Sequence, residues 1–209
     1  MTKKYKIPYS KRPAYLTNQK VDDTGKRYKV PSVTQVLGVV GNPEGLINWA
    51  IRETVKLIDW DKRQVGDYTE LRDWYADVGT TAHRHVEVLL EKGTPDLLTE
   101  GFDQKLIDAA QNSIGAFELW LERHEVEPLY IEEVLVSDTY ELGGTADLIA
   151  TVDGVVEVID FKTGKVLNKH KLQVAAYFML AQDAGIHVDQ CRMVYGPVSY
   201  THLRAHETP

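Results

Sequence analysis

The chain has 209 residues, a net charge of -7 at pH 7 and a single cysteine, Cys191. This length suits one domain with a sizeable core, and one cysteine excludes an intramolecular disulfide, a cysteine-ligated iron-sulfur cluster and a zinc knuckle. The sequence has no apolar run long enough for a membrane span and no apolar secretory signal at its N-terminus, so we expect a cytoplasmic protein without a membrane partner.

The first 30 residues form a basic N-terminal arm. They contain nine Lys or Arg against two Asp, a local charge of +7, so the remainder of the chain carries -14. Four tyrosines alternate with these cations: Tyr5, Tyr9, Tyr15 and Tyr28. Such alternation suits a single nucleic-acid strand, whose phosphates pair with cations while its bases stack on aromatic rings. A solvated, partly ordered arm is the equally weighted alternative.

After the arm, the residue patterns predict an α+β domain. A short apolar element over 31–41 precedes a helix that Asn42 caps, with Pro43 at its first position. The later elements are a helix over 80–93, a helix over 104–124, strands near 130–137, 145–152 and 155–162, a helix over 169–184 and a strand near 191–195. This order predicts one central mixed β-sheet flanked by helices.

The stretch GGTADLIATVDGVVEVIDFKTGK, residues 143–165, predicts a β-hairpin that turns at its Asp-Gly dipeptide. The register that this turn sets places Asp147 directly opposite Asp160. Lys162 shares a face with Asp160, because side chains alternate along a strand. The sequence therefore predicts three ionisable groups on one face of a hairpin whose two faces are both largely apolar.

The facing carboxylates of this hairpin need compensation. Like charges placed opposite each other destabilise a strand pair, and partial burial raises that cost. A divalent cation such as Mg²⁺, which one or two carboxylates hold together with water and phosphate oxygens, would supply the opposite charge. The alternative is a pair at the rim of the sheet with both carboxylates in solvent; the neighbouring lysine favours a site.

Two helices carry polar pairs spaced by one turn. His83 and Glu87 lie at the edge of an apolar stripe, where a histidine can face the sheet, whereas His85 points to another side and is expected to be an ordinary surface residue. Gln173 and Tyr177 are spaced in the same way on a later helix. Taken singly, each pair is more often incidental than functional.

Five motifs occur in order along the chain: GTTAHRHVE, Glu133 in EEVLVS, GGTADL, VIDFKTGK and QVAAY. Together they resemble the PD-(D/E)xK nuclease superfamily and, within it, the RecB-like and mitochondrial-genome-maintenance-type exonucleases, many of them phage encoded. The resemblance runs from about Pro31 to Tyr195. The chain departs from the superfamily name in one way, because Ala146 rather than proline precedes Asp147.

The resemblance implies a restriction-endonuclease-like core and a metal centre. Its matching positions make Asp147 and Asp160 the metal-binding carboxylates, with the Phe161 carbonyl and His83 as further ligands. Mg²⁺ or Mn²⁺ is the implied ion. The chain lacks the cysteine set of the iron-sulfur members of the superfamily, which argues against that subgroup.

The resemblance also implies roles around the metal. Lys162 would orient the attacking water or stabilise charge that develops on the phosphate. Glu133 on the neighbouring strand would complete a second metal shell. Glu87, Gln173 and Tyr177 would support the site or contact the DNA strand.

The implied reaction is metal-assisted hydrolysis of DNA phosphodiester bonds, from single-stranded ends, in phage or bacterial replication, recombination or repair. The location would then be the cytoplasm of a bacterial cell, and the protein partner a helicase, polymerase or recombinase. A structure-selective endonuclease or junction resolvase of the same fold is one alternative. A non-catalytic DNA-binding or assembly protein is another, although the presence of both carboxylates and the lysine favours catalysis.

The end of the chain requires separate treatment. The run VSYTHLRAHET, residues 198–208, resembles the translation of a sequencing-library adapter, so we interpret residues 198–209 as non-native. His202 and His206 therefore receive no functional weight. The expected organisation is a basic arm over 1–30, a nuclease domain over 31–197 and this tail.

Overall fold

The computed structural model describes residues 15–40, 50–52, 54–55, 58–59, 64–65 and 68–197. Its helices are α1 (Val33–Val40), α2 (Tyr68–Leu90), α3 (Gln104–Arg123) and α4 (Asn168–Asp183). Its strands are β1 (Leu16–Val21), β2 (Arg27–Lys29), β3 (Ile58–Asp59), β4 (Gln64–Val65), β5 (Val126–Ser137), β6 (Leu142–Val152), β7 (Val155–Thr163) and β8 (Gln190–Gly196).

The central feature is a four-stranded sheet in the order β5-β6-β7-β8. The first three strands pair antiparallel, and β8 pairs parallel to β7 after the crossover through α4. The predicted α+β plan, with one mixed sheet between helices, is confirmed. Strand β6 is buried along most of its length, as its apolar pattern on both faces predicts.

Helices cover both faces of this sheet. Helices α2 and α3 pack on one face, in a cluster that includes Val78, Ala82, Val86, Phe117, Leu148, Ile159 and Phe161. Helices α1 and α4 pack on the other, in a cluster that includes Val33, Ala146, Ile149, Val158, Val174 and Tyr177. We refer to these two sides as the α2 face and the α4 face.

Helix α2 begins at Tyr68, twelve residues before the predicted start. The extra turns continue the apolar stripe, because Trp74 and Val78 precede Ala82 at spacings of four residues and all three are buried. The helix ends at Leu90, three residues before the predicted end at Gly93, which donates its N–H to the carbonyl of Val88. A Cβ at that glycine would lie 2.9 Å from Cγ1 of Val88, so the close approach requires glycine.

The described part of the predicted arm is ordered. Strands β1 and β2 form an antiparallel hairpin, and Tyr15, just before β1, is buried with its hydroxyl 2.9 Å from Oγ1 of Thr145. The expectation that Tyr15 stacks on bases is therefore wrong, because this ring lies in the core. Tyr28 donates a hydrogen bond to Glu141, at the turn before β6.

Three expectations concern residues outside the described part of the chain. They are the arm over residues 1–14, the helix start at Asn42 and Pro43, and the tail over residues 198–209. Among the helices that the structure does describe, none combines the length and the apolar character needed to cross a membrane.

Candidate metal centre

The site begins where strands β6 and β7 separate. Their ladder follows the predicted register from Val152↔Val155 to Leu148↔Ile159. Two residues beyond Ile159, the Phe161 N–H donates a 2.8 Å hydrogen bond to Oδ2 of Asp147. The predicted direct pairing of Asp147 with Asp160 is therefore replaced by a side-chain contact that fixes the Asp147 carboxylate.

The two carboxylates are directed to different faces of the sheet. Ala146 packs on the α4 face and Leu148 on the α2 face, so the alternation of β6 shifts by one residue between them. Asp147 accordingly lies with residues of the α2 face, whereas Asp160 alternates with Phe161 and lies on the α4 side. The prediction that Asp147 and Asp160 share one face is wrong for this reason.

Helix α2 brings a histidine to Asp147. Nδ1 of His83 lies 3.7 Å from Oδ2 of Asp147, whose side chain is 6% exposed. The approach depends on Gly79, one turn earlier, because a Cβ there would lie 3.1 Å from Oγ1 of Thr163 at the end of β7. The predicted orientation of His83 toward the sheet is confirmed.

Strand β5 contributes a residue that the sequence analysis did not select. His83, Glu132 and Asp147 form a group in which one ligand atom from each residue lies within 4.8 Å of the others. Glu132 has a φ of 50°, a left-handed conformation that a glutamate seldom adopts. Its neighbour Glu133 stays in the regular ladder opposite Ala146 and is not a member of this group.

On the α4 side, Lys162 contacts two of the predicted metal ligands. Its Nζ lies 2.5 Å from Oδ2 of the fully buried Asp160 and 3.4 Å from the carbonyl oxygen of Phe161. These two oxygens can therefore share one cation. The imidazole and two carboxylates on the α2 side form a separate set of oxygen and nitrogen donors of the kind that a divalent metal requires.

Two further residues border Lys162. Tyr195 is opposite Lys162 in the parallel ladder, and its hydroxyl lies 3.2 Å from Nδ1 of His170 on α4. Burial and the charges of Lys162 and Lys169 lower the pKa of His170 to about 4, so its imidazole is neutral at pH 7. Burial and the charge of Asp160 raise the pKa of the Tyr195 phenol.

The Gln173 and Tyr177 pair lies behind the site. Nε2 of Gln173 donates a 2.8 Å hydrogen bond to the Tyr177 hydroxyl, and the two residues are 9% and 1% exposed. The Tyr177 ring packs on Gly144, where a Cβ would lie 2.5 Å from Cε1. Tyr177 therefore cannot reach a DNA strand, and a supporting role remains for it.

Glu87 and His85 complete the α2 side. Glu87 lines the same small pocket as His83, Glu132 and Asp147, and its carboxylate lies 3.0 Å from the Arg84 guanidinium. His85 is not the surface residue that we expected. It is 17% exposed, and its Nε2 lies 2.8 Å from Oε1 of Glu118 on α3.

The arrangement of sheet, carboxylates and lysine has a counterpart among known proteins. The family model of the PD-(D/E)XK nuclease superfamily matches residues 56–207, well over half of the chain. The chain belongs to the PD-(D/E)XK nuclease superfamily. It matches no curated protein at a significant level.

Membership of the PD-(D/E)XK superfamily supports a metal-dependent nuclease with a nucleic-acid substrate. The mixed sheet flanked by helices is the restriction-endonuclease-like core that the resemblance implies. The candidate acidic metal site agrees with this activity.

Proposed function

We propose that the protein is a divalent-metal-dependent exonuclease of the RecB-like branch that hydrolyses single-stranded DNA from its ends, in phage or bacterial replication, recombination or repair. The observation that carries the proposal is the convergence of two groups on one backbone position, Phe161. Its N–H holds Asp147, beside His83 and Glu132, and its carbonyl oxygen and the preceding carboxylate of Asp160 contact Lys162.

The chemistry divides between the ion and the chain. A bound Mg²⁺ or Mn²⁺ would neutralise phosphate charge and lower the pKa of water so that it attacks phosphorus at neutral pH. His83, Glu132 and Asp147 would hold this ion on the α2 side, and Asp160 with the Phe161 carbonyl oxygen would hold a second ion on the α4 side, where Lys162 contacts both oxygens in this structure. Because an imidazole nitrogen is among these donors, we expect tighter binding of Mn²⁺ than of Mg²⁺.

Lys162 acts on the scissile phosphate in this proposal. Its side chain is only 17% exposed, so its charge is weakly screened by solvent and stabilises negative charge that develops on the phosphate oxygens. Water adds to phosphorus as the bond to one ester oxygen breaks, and the released oxygen takes up a proton. The buried Gln173 and Tyr177 pair would keep α4 in position behind this site.

The preference for single-stranded ends is supported by charge. Residues 1–14 contain five Lys or Arg and no acidic residue, in a chain whose net charge is -7. An acidic body repels a duplex more than a single strand, because the duplex has the higher charge density. A helicase, polymerase or recombinase that exposes such strands is the kind of partner that we propose.

The decisive experiment incubates the purified protein with linear single-stranded, linear duplex and circular single-stranded DNA, in Mg²⁺, Mn²⁺ or EDTA. We expect cleavage of the linear single strand in either metal, little cleavage of the circle and none in EDTA. Equal rates on the circle and on the linear strand would replace the exonuclease with the endonuclease alternative. Binding without cleavage in any metal would favour the non-catalytic alternative.

Matched variants test the catalytic assignment. We expect Asp160→Asn and Lys162→Met to lower kcat by orders of magnitude with little change in DNA affinity. Asp183→Asn and Lys105→Met alter exposed positions on α4 and α3 and serve as controls. Full activity of Asp160→Asn would reject the metal site, and a pure loss of affinity in Lys162→Met would make this lysine a phosphate anchor.

A further inference from the structure

The segment that leaves β7 concentrates positive charge beside the site. Residues 161–171 contain Lys162, Lys165, Lys169 and Lys171 and no acidic residue, in a chain of net charge -7. The last three of these lysines are exposed, and none of them forms a salt bridge within the described part of the chain. Their charges are therefore available to an anionic partner.

The same segment exposes apolar side chains. Val166 is 59% exposed, Leu167 is 44% exposed and Leu172, in the first turns of α4, is 55% exposed. Single exposed apolar residues are ordinary on protein surfaces. Here two adjacent exposed apolar residues lie between lysines, and a third follows within a few residues. This grouping suits a ligand that has both negative charge and apolar surface.

The loop that carries these side chains is fixed at both ends. Gly164 donates its N–H to the carbonyl of Gly196 at 3.0 Å, in a turn where Gly164 has a φ of 82°. The backbone of Leu167 hydrogen-bonds to the Tyr195 hydroxyl, and that hydroxyl also contacts His170. These contacts hold the backbone against β8 and leave the side chains of Val166 and Leu167 outside.

The anchor of the loop belongs to the neighbourhood of the catalytic groups. Tyr195 pairs with Lys162 in the β7–β8 ladder, and the charge of Asp160 acts on its phenol. The charges of Lys162 and Lys169 both act on the imidazole of His170. The exposed loop and the buried Asp160–Lys162 pair are therefore parts of one contiguous region.

We propose that residues 165–172 form a binding surface for single-stranded DNA, in which the lysines contact phosphates and Val166 and Leu167 pack against an unstacked base. A single strand fits this surface because it presents charge and open base faces together, whereas a duplex hides its base faces except at the ends. Apolar aliphatic side chains pack against bases in this way when a base step is opened. The inference rests on the proposed function, since the bound strand would lead into the nuclease site.

The test measures binding without cleavage, in EDTA, by fluorescence anisotropy of a short single strand and of an abasic strand of equal length. We expect the double variant Val166→Ser and Leu167→Ser to weaken binding of the normal strand about 5- to 100-fold and to leave binding of the abasic strand unchanged. The double variant Lys165→Gln and Lys169→Gln should weaken binding of both strands. It should also reduce the slope of log affinity against log salt concentration by roughly 0.7 per lost phosphate contact.

Controls use exposed residues of the same kinds elsewhere. Leu98→Ser and Leu129→Ser change residues that are 55% and 50% exposed, and Lys105→Gln changes an exposed lysine on α3. These variants should bind like the wild type. If the Val166 and Leu167 changes weaken binding of the normal and abasic strands equally, or weaken binding of neither, the proposed base contact is wrong.

The outcome is separable from that of the proposed function. Cleavage by the wild type together with unchanged binding in the loop variants would reject the surface alone. If the variants show the expected binding pattern but the wild type cleaves no DNA in Mg²⁺ or Mn²⁺, the nuclease proposal is rejected and the binding surface is supported. Failure of the wild type to bind the single strand would reject the surface directly.

Discussion

The backbone at Glu132 adopts a strained conformation in the candidate metal centre. A φ of 50° costs a glutamate about 1 kcal/mol or more, and the side chain that it directs lies beside Asp147. We expect Glu132→Gly to raise the free energy of unfolding by ~1 kcal/mol, because glycine adopts this φ without strain and one of two neighbouring carboxylates is removed. Urea denaturation in EDTA measures the change.

The adjacent glutamate supplies the control for this prediction. Glu133→Gly should destabilise the protein by about 0.5–1 kcal/mol, because Glu133 occupies a regular ladder position. Added Mn²⁺ should raise the melting temperature of the wild type and of Glu133→Gly more than that of Glu132→Gly. Equal metal stabilisation in all three proteins would remove Glu132 from the metal centre.

His170 gives the protein a dependence of stability on pH. Its pKa falls from 6.5 to about 4 on folding, so between these values the unfolded chain binds the proton that the folded chain excludes. The free energy of unfolding should therefore decrease as the pH falls from 6.5 to 4, by up to about 3 kcal/mol from this residue. The sign follows from the depressed pKa, because the imidazole must charge when the chain is acidified.

Denaturation of His170→Asn at a series of pH values checks this expectation. The variant should lose stability overall and show a flatter decline between pH 6.5 and pH 4 than the wild type. His187→Asn is the matched control, because His187 is 82% exposed. A decline that is as steep in His170→Asn as in the wild type would assign the effect to other groups.

At this scale the sequence predicted residue types better than orientations. Asp147, His83 and Lys162 were selected from motifs, and the structure places all three at the strand separation. Glu132 was missed because the irregularity of β5 between Pro128 and Tyr130 and the positive φ decide which of two adjacent glutamates turns to the site. The pair of glutamates in EEVLVS was the only sequence signal, and it does not choose between them.

At the scale of elements, a glycine sets the distance between β6 and α4. A Cβ at Gly144 would lie 2.5 Å from Cε1 and 3.0 Å from Cδ1 of Tyr177, a fully buried ring that cannot move away. We expect Gly144→Ala to destabilise the protein by about 1–3 kcal/mol through overpacking, and to lower nuclease activity by displacing Gln173 with its partner. Thermal denaturation and single-turnover cleavage measure the two effects.

Gly115 provides the comparison on α3. A Cβ there meets nothing within 4 Å, so Gly115→Ala should stabilise the helix by up to ~1 kcal/mol and leave activity unchanged. If Gly115→Ala destabilises the protein as much as Gly144→Ala does, the destabilisation at Gly144 is not caused by contact with the tyrosine ring.

Element types followed from periodicity, but some boundaries did not. The hairpin turn and its register were predictable because an Asp-Gly dipeptide between β-branched runs leaves few alternatives. The first turns of α2 were missed because their stripe begins in a polar stretch that contains Trp74 and Val78 among charged residues. The separation of β6 from β7 was not predictable, since the hydrogen bond between the Asp147 side chain and the Phe161 N–H lies just beyond the last ladder pair and has no signal in the sequence.

At the scale of the molecule, we expect deletion of the two parts of the predicted arm to have different effects. Residues 1–14 carry five cations, whereas residues 15–29 form a hairpin with the buried Tyr15 at its start. Deletion of residues 1–14 should weaken single-strand binding and flatten its salt dependence, by roughly 0.7 per lost phosphate contact, with an unchanged melting temperature. Deletion of residues 1–29 should also lower the melting temperature, because it removes a core ring.

Anisotropy titrations at several salt concentrations distinguish these deletions. A salt slope that is the same with and without residues 1–14 would show that the arm does not contact phosphates. The division of the arm was not predictable, because the repeated Tyr and Lys pattern is the same in both parts. Only the small residues Gly143 and Thr145 in the facing strand reveal where Tyr15 packs.

The spacing of the site residues along the chain has a kinetic consequence. Both aspartates and the lysine come from one hairpin of about 20 residues, whereas His83 lies roughly 60 residues upstream. Contacts between neighbouring segments form before those that close long loops. We therefore expect the β6–β7 hairpin to be structured in the folding transition state and α2 to dock afterwards. Folding and unfolding rates should give a higher φ-value for Val158→Ala than for Val78→Ala, and the reverse order would mean that the helix organises the hairpin.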